Sequence, residues 1–129
     1  MRTILLVGED ALLLESRALL LRSTGAATIT ASMYQFARES TAEGVDVVVL
    51  CHTIPAALRA AMSEDARRRW PDIPVVQVLK NEFEAEPTLR HADGIVLSGE
   101  PAKLVRCASE LLNRPFELTT PTPLETSAA

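Results

Sequence analysis

Two stretches, Ile4-Leu5-Leu6-Val7 and Val47-Val48-Val49-Leu50, are apolar without a single polar interruption. A strand with one wet face alternates apolar with polar residues. An unbroken apolar run is instead the pattern of a strand covered on both faces, as in a parallel sheet between two layers of helix. The first run, Thr3 to Val7, stops at the polar turn Gly8-Glu9-Asp10 and reads as the central strand. The second spans Val45 to Cys51 and is the strongest strand in the chain, because its core is β-branched and a polar loop with Pro55 follows it.

Helical spacing fills the intervals. Asp10 is placed to cap a helix running through Arg22, with Ala11, Leu14, Ala18 and Leu21 on its apolar stripe and Gly25 just past its end. A second strand, Ala26 to Ala31, leads to Ser32 and Gln35 in capping-box spacing and a helix to about Glu43, closed by Gly44. A third helix, Ala56 to about Arg69, sets apolar Leu58, Ala61 and Met62 against charged Arg59, Glu64, Asp65, Arg67 and Arg68. Trp70-Pro71-Asp72 breaks it, and Ile73 to Leu79 is a fourth strand that tolerates Pro74 only at its start. Lys80 to Asp93, with Pro87, leaves room for at most a turn or two of helix. Gly94 to Ser98 is a fifth strand, and Pro101 opens a last helix through Leu112 with Leu104, Ala108 and Leu111 on its buried side.

Strands alternating with helices imply an α/β fold, a three-layer, doubly wound sandwich around a five-stranded parallel sheet. The chain has 129 residues, enough for one domain over 1–114, and the Pro- and Thr-rich residues 115–129 read as a flexible tail. With 13 basic against 17 acidic residues, and a net charge of −4, there is no sustained positive surface, so nucleic acid is not an expected direct partner. Cys51 and Cys107 lack metal-ligand spacing, and Met1-Arg2-Thr3 leads straight into a strand where a signal sequence would have its apolar core. A cytoplasmic protein with reduced thiols and no membrane contact is expected.

The chain resembles the response-regulator receiver family over residues 3 to about 113. The resemblance rests on Ile4-Leu5-Leu6-Val7 with its acidic turn, Val47-Val48-Val49-Leu50 with the loop to Pro55, and Pro71-Asp72-Ile73-Pro74-Val75-Val76 opening the fourth strand. It implies sheet order 2-1-3-4-5, here with a shortened fourth helix, and a site at the carboxyl ends of strands one and three. In that family an acidic pair holds Mg²⁺, an Asp ending the third strand accepts the phosphoryl group, and a hydroxyl and a lysine end the fourth and fifth strands. Here the acidic pair falls on Gly8 and Glu9, the acceptor on Cys51, the hydroxyl on Leu79 and the lysine on Ser98.

A thiol is a poor Mg²⁺ ligand, so the resemblance implies a degenerate receiver, not an enzyme. No cofactor is expected. Glu9 with Asp10 could attract a cation such as Mg²⁺ weakly, and Asp10 is equally explained as a helix cap. The expected function is a stand-alone pseudo-receiver of a two-component or phosphorelay-like system, acting by phosphorylation-independent contact with another signalling protein or with a second copy of itself. The alternatives are a thiol redox sensor centred on Cys51, with His52 beside it, and a receiver phosphorylated by an atypical route. A buried Cys51 without a basic neighbour would remove the redox reading, and Glu9 is expected to raise the pKa of that thiol. His52 and His91 read as loop residues, Arg67-Arg68-Arg69 as a solvated helix end, Met33, Tyr34 and Phe36 as helix packing, and Cys107 as core or interface filler.

Overall fold

The computed structural model describes residues 2–38, 44–81 and 92–113. Five parallel strands, β1 (Thr3–Val7), β2 (Ala27–Ala31), β3 (Val47–Leu50), β4 (Val75–Leu79) and β5 (Gly94–Leu97), form one sheet in the order β2-β1-β3-β4-β5. Four helices accompany them among the described residues: α1 (Ala11–Leu21), α2 (Met33–Arg38), α3 (Ala56–Arg69) and α4 (Pro101–Leu112). A single 3₁₀ turn, Arg22–Thr24, tightens the end of α1, and Gly25 takes the left-handed conformation at φ 91° that lets the chain double back into β2.

Period-two alternation divides the strand residues between two cores. Ile4, Leu6, Val47, Val49, Val76, Val78 and Val96 face α1 and α4, meeting Leu14, Ala18, Leu21, Leu104, Ala108 and Leu112. Leu5, Val7, Val48, Leu50 and Val75 face the other way, against Phe36 of α2, Ala66 of α3 and Ile54. The sheet is therefore dry on both sides, as its uninterrupted apolar runs require.

The expected elements occur in order, with ends shifted by one or two residues. Pairing beyond the assigned ends of β3 explains part of this, since Asp46 N donates to Thr3 O (2.8 Å) and Cys51 N to Val7 O (2.9 Å). The capping box forms as its spacing requires: Ser32 N donates to Gln35 Oε1 (2.8 Å) and Gln35 N to Ser32 Oγ (3.1 Å). The expected end of α2 at Glu43, the segment 82–91 with Pro87 and His91, and the tail 115–129 lie outside the described residues.

Side-chain expectations are corrected on each of the four helices. On α3 the buried residues are Arg59, Ser63 and Ala66, while Leu58 is 46% exposed and Ala61 is also exposed. On α1 Arg17 joins Leu14, Ala18 and Leu21 on the buried stripe, and Ala11 faces solvent. On α2 Phe36 is buried, but Tyr34 points outward, where its hydroxyl accepts from Arg38 Nη1 (2.7 Å). On α4 Leu112 completes the buried stripe while Leu111 packs at its margin.

The physical reason for the inversion on α3 lies in backbone accounting. Parallel pairing presents every second carbonyl of β4 to β3; Val48 N takes that of Pro74 at 3.0 Å. Two steps of the same period reach Val78, but by then the chain has left β3 after Cys51. Arg59 Nη1 donates to Val78 O at 2.6 Å, ending the ladder with a side chain. The fully buried Arg59 therefore follows from β3 being shorter than β4.

Gly94 opens β5 directly beneath α4. A Cβ there would lie 2.6 Å from Cys107 Sγ. Gly94→Ala is expected to lower stability by about 1–2 kcal/mol through overpacking, and Cys107→Ala in the same chain to recover most of that. Urea denaturation of the two single variants and the double variant measures the coupling.

Candidate functional site

The site follows from topology. Strand order reverses around β1, whose neighbours β2 and β3 are reached by crossovers in opposite directions, so the switch point lies at the carboxyl ends of β1 and β3. Three of the sequence-derived site residues, Gly8, Glu9 and Cys51, meet there. Leu79 and Ser98 meet each other at the ends of β4 and β5, where Ser98 N donates to Leu79 O at 2.8 Å.

The crevice is packed. A Cβ on Gly8 would stand 3.0 Å from Thr53 Oγ1 and 3.1 Å from both Cys51 Cβ and Leu14 Cδ2. Thr53 also ties the β3–α3 loop to β1, accepting from Glu9 N at 3.0 Å. The nearby open space, a cleft of about 260 Å³ bordered by Gly8, Glu9, Leu14, Thr30, Ser32 and Gln35, lies on the β2 side of β1.

Both carboxylates of the turn act as helix caps. Glu9 Oε2 accepts from Met33 N at 2.6 Å, at the start of α2, and Asp10 Oδ1 accepts from Leu13 N at 3.2 Å, at the start of α1. Each satisfies an orphan amide where the helix dipole favours negative charge. Among the described residues no group of three or more His, Cys, Asp or Glu side chains is arranged to hold a metal ion.

Cys51 is 1% exposed. Burial pushes its thiol above the ordinary value of 9.0; the charge and hydrogen bond of Arg17, and the charge of Arg59, pull the other way without prevailing. The expected influence of Glu9 is replaced by these two arginines, and of the two conditions that together would remove the redox reading, burial holds and the absence of a basic neighbour does not. Arg17 itself is buried, and its Nη2 lies 3.3 Å from His52 Nδ1. A guanidinium can only donate, so Nδ1 is the acceptor. Arg17 Nη1 is buried without a hydrogen-bond acceptor among the described residues.

A folded-state pKa above the unfolded one means that the protonated thiol is favoured by folding. Its contribution is complete below the unfolded value and is lost as pH rises through the folded value. Cys107 is shifted the same way, by burial and by Glu110. Stability is therefore expected to fall above pH 9.0, and a Cys51→Ala, Cys107→Ala chain to show a flatter decline in urea denaturation across that range.

Sequence reasoning missed Arg17, Arg59 and Thr53. The signal for Arg17 was present: it stands three residues after Leu14 and four before Leu21, on the apolar stripe. The arginine triplet is less solvated than expected, since Arg67 pairs with Asp93 (2.9 Å), and Arg69 pairs with Asp65 (2.7 Å) and lies over the Phe36 ring (4.4 Å). Arg68 reaches Asp65 at 3.4 Å from an exposed position.

No protein-family model matches the chain, and no curated protein matches its sequence. Solved structures do. A CheY-like response regulator receiver domain protein from Methanospirillum hungatei JF-1 superposes with a TM-score of 0.74 at 19% identity, over 88% of this chain and 94% of that one. The fold is that of a receiver domain. The receiver domain of a sensor histidine kinase from Pseudomonas aeruginosa PAO1, with a magnesium ion in its active-site cleft, gives 0.71 at 16% identity, over 86% and 97% of the two chains. A protein assigned to pilus assembly from Burkholderia thailandensis E264 gives 0.69 at 17%, over 88% and 100%. At such identities the likeness establishes the receiver fold alone. No helix among the described residues is long and apolar enough to cross a membrane.

Proposed function

We propose that this receiver fold is a pseudo-receiver, a cytoplasmic signalling module that works through contact with another signalling protein and takes no phosphoryl group. The observation that carries the reading is the state of the position where β3 ends. A sealed, protonated thiol stands there, with two guanidiniums acting on it. A thiol offers no carboxylate oxygen to form an acyl phosphate. Mg²⁺ needs hard oxygen ligands and would meet cationic side chains at this point, while the carboxylate of Glu9 is engaged at α2. The donors do not fit the ion, and Leu79 and Ser98 supply neither the hydroxyl nor the ammonium at the positions the resemblance assigns to them. The chain is accordingly no enzyme and needs no cofactor.

The redox reading has one observation in its favour, the Arg17 and Arg59 charges beside Cys51, and burial outweighs it. The test is an NMR titration of the reduced chain with Mg²⁺ and then beryllofluoride. Unchanged amide shifts at Gly8, Glu9 and Cys51 are expected; saturable shifts confined to those residues would contradict the proposal.

A further inference from the structure

The receiver fold buries one stripe of α1 and leaves the opposite stripe bare. Along the bare side run Leu12, Ser16 and Leu19, at the four- and three-residue steps that keep side chains on one line, and Ser23 of the 3₁₀ turn continues it one step past the end of α1. All four are exposed, with Leu12 at 81% and Leu19 at 69%. Glu15 and Arg22 flank the line on one side, both exposed and neither in an ion pair among the described residues.

We propose that this face of α1 is a weak homodimer interface, in which α1 lies antiparallel to α1 of a second copy. The pattern is self-complementary. In the register where residues 17 and 18 mark the centre, Leu12 falls on Ser23 of the second copy and Ser16 falls on its Leu19, so each leucine meets a small side chain at all four positions. A two-fold axis lying between the helices and perpendicular to them keeps the charged flanks on the same side. Glu15 then lies within about 3 Å, along the axis, of the second copy's Arg22, from the helical rise of about 1.5 Å per residue. The symmetry repeats the pair, and the antiparallel dipoles add to the match.

Charge complementarity combined with large-against-small packing selects a second copy over an unrelated helix. One helix stripe buries less than the roughly 1,200 Å² of a stable complex, so association is transient and becomes visible only at high protein concentration. The inference does not depend on the phosphate-free reading, since it uses only exposed residues of α1 and of the 3₁₀ turn that follows it.

The test is sedimentation velocity together with amide NMR across a micromolar-to-millimolar concentration series of the full chain. Self-association is expected, with concentration-dependent shifts at Leu12, Ser16, Leu19 and Ser23. Leu19→Glu should weaken it about tenfold or more, and Arg22→Glu about fivefold, by placing like charges together. The decisive variant combines Glu15→Arg with Arg22→Glu: it restores complementarity and should return association to within about twofold of the parent. All these positions are exposed, and amide dispersion confirms that each variant folds. A monomer at millimolar concentration, shifts confined to another face, or failure of the double reversal to restore association would each overturn the proposal.

Discussion

Arg59→Ala is expected to lower the free energy of unfolding by roughly 3–5 kcal/mol, the largest effect of any polar substitution in the chain. Two losses combine. Arg59 is fully buried, so truncation leaves a cavity between α3 and the sheet, and Val78 O loses the donor that stands in for a β3 amide. Arg59→Met separates them. Its side chain refills much of the volume and brings no charge into the interior, so the loss of the donor to Val78 O is read apart from the cavity, at about 1–3 kcal/mol. Urea denaturation of the two variants decides the matter. A loss below about 1 kcal/mol for Arg59→Ala would mean that the carbonyl finds water and that α3 is held by other contacts.

Gly8→Asp is the second large effect, expected to cost about 2–4 kcal/mol. The substitution introduces at Gly8 the acidic residue that the family resemblance leads one to expect there. Its Cβ would enter a space 3.0 to 3.1 Å from Thr53 Oγ1, Cys51 Cβ and Leu14 Cδ2, and its carboxylate would begin from a buried backbone position. Combining it with Cys51→Asp tests the pocket more directly: if packing around Thr53 closes the crevice, two carboxylates do not create a Mg²⁺ site. Thermal unfolding with and without Mg²⁺ reads this out, and a Mg²⁺-dependent rise in the double variant would show that the space can reopen.

The parts of this fold that were legible in the sequence are those set by period and punctuation. The unbroken run at Val47–Leu50 required a sheet dry on both faces, and Asp10, Ser32, Gln35, Gly25 and Pro101 marked helix ends by the amides they satisfy or the angles they allow. The inner face of α3 was not legible, because periodicity rules assume that the buried stripe is apolar. Arg59 is buried for a reason that lies outside its own helix, in a carbonyl nineteen residues away on a strand whose neighbour ends early. The site divided in the same way. Its location followed from the topology, and the presence of Cys51 at the end of β3 could be read directly. The charge around Cys51 could not, because Arg17 and Arg59 converge on the thiol from two different helices.

The most direct test of the phosphate-free account is the intact mass of the reduced protein after incubation with acetyl phosphate and Mg²⁺, with a phosphorylatable receiver treated in parallel. The account predicts the parent mass alone in a chain shown to be folded by its amide spectrum. A stoichiometric gain of one phosphoryl group, retained by the folded protein and mapped to the ends of β1 or β3, would contradict it.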